Sequence, residues 1–206
     1  FFDRHARQWD ALVRDVLPVA GYIEQLVAAV PRCDCMVEVG AGTGALLAAL
    51  GELGGRVIAV DHSSAMLEQA RARVEELGLD GVELRLGEMA HLPLGDGEAG
   101  AALINMVLHH APRPTEVLGE LYRTLAPGGR LLIADLVRHE REWVRERLAD
   151  QWLGFDRGEL EAMLAIAGFV VERYTVVEGE GEAYTRADEE LTLAGVPLEG
   201  VEYRFV

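Results

Sequence analysis

One short run constrains this chain more than any other. Gly40-Ala41-Gly42-Thr43-Gly44 stands between the apolar residues Met36, Val37 and Val39 and a segment of alanines and leucines over residues 45–53. An apolar run, a glycine turn and then helix formers read as strand, tight turn and helix. Glycine lets a ligand lie against the main chain, and the helix start turns backbone amides toward it. The turn is therefore a candidate seat for an adenine-bearing cofactor.

The pattern then repeats. Residues 56–60 are apolar and end at Asp61, and Ser63 or Ser64 is placed to cap a helix reaching residue 77. Residues 82–86 alternate like a third strand and stop at Gly87-Glu88, and residues 101–107 make a fourth. Pro114 suits the first turn of a helix to residue 125, and Pro127-Gly128-Gly129 turns the chain into a fifth strand over residues 131–136. Beyond Asp135, residues 140–152 and 157–167 read as helices and residues 169–177 and 200–206 as strands. Residues 2–30 read as two helices broken near Pro18, and the acidic stretch from Glu178 to Glu190 as a solvated loop. Helix and strand alternating in this way predict a doubly wound α/β domain.

Composition removes several functions. The chain has 206 residues, one domain by length, and its 19 basic against 35 acidic residues give a formal charge of −16. Such a field repels phosphate backbones, so this domain alone is not expected to bind nucleic acid. Every basic residue is arginine, which excludes lysine Schiff bases and the lysine-containing phosphate loop. Cys33 and Cys35 stand two apart at the start of a strand without further ligands beside them, so no metal is expected. No apolar run approaches the ~18 residues of a membrane span, and no signal peptide is visible, so a cytoplasmic location is expected.

Several polar residues fall where the strands end. Glu38 is an acid inside an apolar strand, where it needs a partner: loop amides or, directly or through water, the ammonium of a methionine moiety. Asp61 can accept from both hydroxyls of a ribose, Glu88 from an adenine amine, and Asn105-Met106 ends the fourth strand beside the same crevice. His109 and His110 follow it and are candidate general bases, His110 the favoured one. The glycine turn fits G-x-G-x-G and, with Ala45, G-x-G-x-x-A, so by itself it leaves S-adenosylmethionine and NAD open.

Four motifs in order resemble the class I S-adenosylmethionine-dependent methyltransferases over residues 33–135. They are Glu38-Val39-Gly40-Ala41-Gly42-Thr43-Gly44, Val57-Ile58-Ala59-Val60-Asp61, Gly87-Glu88-Met89-Ala90-His91-Leu92-Pro93-Leu94 and Leu125-Ala126-Pro127-Gly128-Gly129-Arg130-Leu131. Glu88 departs from the aspartate more usual there. The resemblance implies a Rossmann-like, seven-stranded sheet, six strands parallel and the last antiparallel. It implies S-adenosylmethionine as cofactor and S-adenosylhomocysteine as product, bound by Glu38, Gly40, Ala41, Gly42, Gly44, Asp61, His62, Met66, Gly87, Glu88, Met89, Asn105 and Met106. Residues 1–206 are then one methyltransferase domain, with residues 1–30 an N-terminal and residues 136–167 a C-terminal helical cover. His5, Trp9, His139 and Trp143 on these covers are candidate substrate contacts.

Phe1-Phe2-Asp3-Arg4-His5-Ala6, Trp9-Asp10 and Val107-Leu108-His109-His110 resemble the ubiquinone/menaquinone C-methyltransferase branch. Residues 139–156 resemble the methyltransferase half of proteins fused behind an ArsR-type winged helix, which would explain a chain opening on Phe1. The expected function is in-line methyl transfer to a small-molecule acceptor, with no membrane partner and a homodimer compatible with the chain. The alternatives are a module sensing S-adenosylmethionine or S-adenosylhomocysteine for a transcriptional regulator, and an NAD-dependent oxidoreductase. Arsenic is disfavoured as acceptor, because arsenite enzymes need more cysteines than Cys33 and Cys35.

Overall fold

The computed structural model describes residues 1–11, 20–178, 192–193, 196–197 and 204–205. Five parallel strands form the central sheet: β1 (Cys35–Val39), β2 (Arg56–Asp61), β3 (Val82–Leu86), β4 (Ala99–Asn105) and β5 (Leu125–Ala134). Their order, β3-β2-β1-β4-β5, reverses direction at β1. The C-terminal ends of β1 and β4 therefore bracket the crevice in which open α/β sheets bind ligands.

Side chains alternate across these strands and bury both faces. Met36, Val57, Ala59, Ala101 and Leu103 pack toward α2 (Ala20–Ala29), α3 (Leu47–Gly51) and α4 (Ser64–Leu77) through Ile23, Leu26, Leu47, Leu50 and Ala70. Val37, Val39, Ile58, Val60, Ala102 and Ile104 face α5 (Pro114–Thr124) and the later helix Arg157–Ala167 through Val117, Leu118, Leu121 and Leu160. Burial on both sides is what continuous apolar strands of a parallel sheet require. Local signals set the helix ends. The Ser63 hydroxyl accepts from the Met66 amide at 3.1 Å and starts α4, and Gly78, at φ 59°, ends it.

The sheet has five strands among the described residues, where seven were expected. Residues 169–176 pair with no strand, Phe169 packing on Tyr122 of α5 and Glu172 on Arg130 of β5, and only Val177–Glu178 pairs, antiparallel, with Arg204–Phe205 in a separate two-stranded sheet. The helix expected over residues 140–152 is a short one, α6 (Trp143–Arg147), whereas α7 (Arg157–Ala167) matches its expected bounds and stops at Gly168. The N-terminal cover begins with α1 (Phe2–His5) and a 3₁₀ turn (Ala6–Gln8). The break near Pro18, the acidic loop and most of residues 200–206 lie outside the described residues. No described helix is long and apolar enough to cross a membrane.

Candidate active site

A cavity of about 840 Å³ opens at the C-terminal ends of β1, β2 and β4, within the range of cofactor and ligand pockets. Its floor is the glycine turn. The Gly40 and Ala41 amides both donate to the Val60 carbonyl, at 2.8 and 3.1 Å, which ties the turn to β2. A β-carbon on Gly40 would lie 2.4 Å from Val107 Cγ2, so only glycine lets this loop pass. At Gly42, φ is 55° and an added β-carbon would meet nothing closer than Trp9 Nε1 at 3.9 Å. The space over Gly42 is therefore open cavity, of the kind a ligand lying on the backbone would fill.

Asp61 organises the turn. Its Oδ2 accepts the Gly42 amide at 2.8 Å and its Oδ1 the Ser63 amide at 2.9 Å. A carboxylate has about four acceptor sites, so each oxygen retains one for a ligand hydroxyl. Glu38 is 3% exposed, and its Oε2 has no hydrogen-bond partner. Burial pushes its carboxyl up to about 8, and the nearby Asp61 charge adds to the rise. Asn105 Oδ1 is likewise buried without a partner, while its side chain hydrogen-bonds Tyr22. Burial pushes the Tyr22 phenol up to about 12. Two unpaired acceptors in one crevice call for a ligand with donors, because buried acceptors are ordinarily satisfied. An ammonium, ribose hydroxyls and an adenine amine are such donors, and these residues fit a cofactor that carries them.

The N-terminal segment straps this mouth. Asp3 Oδ1 accepts from the Ser63 hydroxyl at 2.5 Å, and Asp10 binds both the Thr43 hydroxyl and the Arg73 guanidinium. These contacts set Phe2 and Trp9 in the cavity wall, their rings 5.3 Å apart and edge-on. On the far side, Met106 ends β4 at φ 56°, an uncommon conformation for a side-chain-bearing residue. Its amide donates to the Ala134 carbonyl at 2.7 Å.

Beyond Met106 lies a buried polar cluster. His109 Nδ1 is 2.7 Å from Asp135 Oδ1, which also accepts the Leu136 amide at 2.7 Å. Burial alone lowers the His109 pKa, but the Asp135 charge and hydrogen bond, with Asp150, outweigh it and raise the group above its ordinary value. His110 is driven the other way, well below its ordinary value, by burial and by His109. It is therefore neutral near pH 7, with Nδ1 3.3 Å from the Ala149 carbonyl. Asp150 is 3% exposed and neither of its oxygens has a hydrogen-bond partner; burial pushes its carboxyl up to about 6. The preceding Ala149 has φ 63°.

Residues 37–133 match the family model of the methyltransferase domain. That stretch runs from within β1 to within β5 and carries the glycine turn. Over 115 residues, 54% of the chain, it is 38% identical to an arsenite methyltransferase of Halobacterium salinarum. Over 125 residues, 61% of the chain, it is 36% identical to a demethylmenaquinone methyltransferase of Clavibacter sepedonicus. The chain spans 29% and 45% of those two relatives. A solved S-adenosylmethionine-dependent methyltransferase from Aquifex aeolicus superposes with a TM-score of 0.68 at 26% identity, covering 87% of this chain and 93% of that one.

The fold brings most of the expected residues to one wall. Glu38, Gly40, Ala41, Gly42, Asp61, His62, Met66, Gly87, Glu88, Met89, Asn105, Met106, His109, His110 and Trp9 all line the cavity. Gly44 does not; it faces inward, where a β-carbon would lie 2.7 Å from Leu47. Three expected substrate contacts also stand off the wall. His5 turns back to the Phe1 carbonyl, at 3.0 Å. His139 Nδ1 accepts the Arg141 amide at 3.2 Å, and burial with Arg141 lowers its pKa to about 4. Trp143, at the start of α6, packs on the cluster of Tyr22, Ala134 and Leu136. Asp10, Tyr22, Thr43, Arg73 and Asp150 were not expected. Their roles come from contacts across the chain, which no local pattern announces.

Proposed function

We propose that the protein transfers a methyl group from S-adenosylmethionine to a small-molecule acceptor by in-line displacement, leaving S-adenosylhomocysteine. When bound, the cofactor supplies a sulfonium methyl that is already activated, so alignment and exclusion of water are the protein's main tasks. The reading is carried by the pairing of buried, unsatisfied Glu38 and Asn105 with the open space over Gly42. Glu38, ionised by a neighbouring ammonium, holds the amino-acid end. Asp61 uses its remaining acceptor sites for ribose hydroxyls, and Glu88, exposed at the rim, accepts from the adenine amine. Phe2 and Trp9 present aromatic faces to a cation. His110, neutral and tied through Nδ1 to Ala149, keeps Nε2 for the acceptor's proton, with His109 held behind it by Asp135.

The match to a demethylmenaquinone methyltransferase supports the ubiquinone/menaquinone branch. The match to an arsenite enzyme does not bring arsenite to this chain: Cys33 and Cys35 lie at the N-terminal end of β1, opposite the cavity, and line no part of it. The same reading places the protein in the cytoplasm and permits a homodimer. Incubation with methyl-labelled S-adenosylmethionine and a panel of hydroxyl, amine and activated-carbon acceptors tests it. Labelled product that disappears with Asp61→Ala is expected; binding of the cofactor without transfer to any panel member would count against the enzyme.

A further inference from the structure

The buried polar cluster of His109, His110 and Asp150 on the cavity wall has the composition and spacing of a metal centre. Asp150 Oδ1 stands 3.6 Å from His109 Nε2 and 3.5 Å from His110 Nδ1, and the three candidate ligand atoms all lie within 4.8 Å of one another. Two ligand atoms each about 2.1 Å from an ion, at a tetrahedral angle, stand about 3.4 Å apart. The Asp150 carboxylate is 3% exposed and hydrogen-bonded at neither oxygen, its charge facing the same two imidazoles.

Two further observations favour a ligand set over a chance cluster. His109 Nδ1 is held by Asp135 at 2.7 Å, the carboxylate–histidine arrangement that fixes a ring with its other nitrogen toward a metal. The loop carrying Asp150 is fastened to the same histidine: the Gln151 and Trp152 amides donate to the His109 carbonyl at 3.0 and 2.9 Å. The strained Ala149 conformation, φ 63°, turns the chain into Asp150. Ligands 40 residues apart in sequence make no recognisable spacing, whereas the structure closes them on one point at the cavity wall.

We infer that His109, His110 and Asp150 form a binding site for a divalent first-row transition cation, facing the cavity where a hydroxyl-bearing acceptor would enter. Two imidazoles and one carboxylate leave positions open for an acceptor oxygen. A cation there lowers the pKa of a bound hydroxyl, whose proton passes to bulk water. In the loaded protein His110 is a ligand through Nδ1; in the metal-free protein it is the base. The cation's use toward an acceptor rests on the methyl-transfer reading, but its binding does not.

The test is titration of the full chain with cobalt(II), followed by visible d–d absorption, beside zinc(II) calorimetry. One equivalent should bind with d–d bands. Asp150→Asn, of the same shape, should weaken binding at least tenfold, and Asp135→Asn should weaken it about 10- to 100-fold through His109. His110→Gln is the third arm should either variant lose its circular-dichroism spectrum. Absence of d–d bands, or bands that persist in every folded variant because surface His62 and His91 hold the ion, would overturn the site. Parallel calorimetry with S-adenosylmethionine separates the two readings: cofactor binding without a cation removes only the metal site, and cation binding without cofactor removes only the methyl-transfer reading.

Discussion

Replacing Glu38 by glutamine isolates the electrostatic preparation of the cofactor site. In the folded, ligand-free protein the carboxyl stays protonated up to about pH 8, because ionising it would place a bare charge in the core beside Asp61. In the unfolded chain it ionises near its ordinary value of 4.5. The folded state therefore binds more protons between these values, and stability falls as pH rises from 4.5 to about 8. At about 1.4 kcal/mol per pH unit the interval amounts to about 5 kcal/mol at its upper limit. Glu38→Gln has no proton to lose, so its stability relative to wild type should rise by about 3–4 kcal/mol from pH 5 to pH 8, the ends of the interval being only partly titrated. Urea denaturation of both proteins at several pH values reads the difference directly, with the other titrating groups cancelling. Curves that stay parallel across this range would refute the reasoning. A linked result follows at pH 6.5, where ionisation of Glu38 by an ammonium releases a proton. Wild-type binding enthalpy should then depend on the buffer's ionisation heat, and that of Glu38→Gln should not.

Three further substitutions probe separate parts of the domain. Asp61→Ala removes charge-assisted bonds worth about 1.5–3 kcal/mol and leaves the Gly42 and Ser63 amides without their acceptor. Cofactor affinity by calorimetry should fall about ten- to a hundredfold. Gly42→Val puts a branched side chain into the open space over the turn and onto a φ of 55°. It should abolish cofactor binding in a protein that is still folded by circular dichroism. Leu118→Ala opens a cavity under the sheet where Leu118 is 0% exposed. It should cost about 2–5 kcal/mol in denaturant unfolding and leave cofactor affinity per folded molecule unchanged.

Much of this architecture is legible in sequence because its determinants are local. The glycine turn, the Ser63 cap, Pro114 in the first turn of α5 and the five apolar strands are each set by residues within a few positions. The cofactor wall was legible for the same reason: strand ends in a doubly wound sheet face one crevice, so Glu38, Asp61 and Asn105 meet there. What escaped depends on contacts between distant segments. Asp10 reaches Thr43 and Arg73 only because α1 folds over the mouth, and Asp150 reaches the histidines only because its loop docks on the His109 carbonyl. Residues 140–152 read as one helix, with Trp143 a candidate substrate contact. The chain instead breaks after Arg147, and Trp143 packs on Tyr22 and Leu136.

Calorimetric titration of the purified protein with S-adenosylmethionine, S-adenosylhomocysteine and NAD in parallel tests the cofactor assignment most directly. Binding of the first two, with none of NAD, is the predicted result. Binding of NAD alone would contradict it and leave the glycine turn as a dinucleotide site.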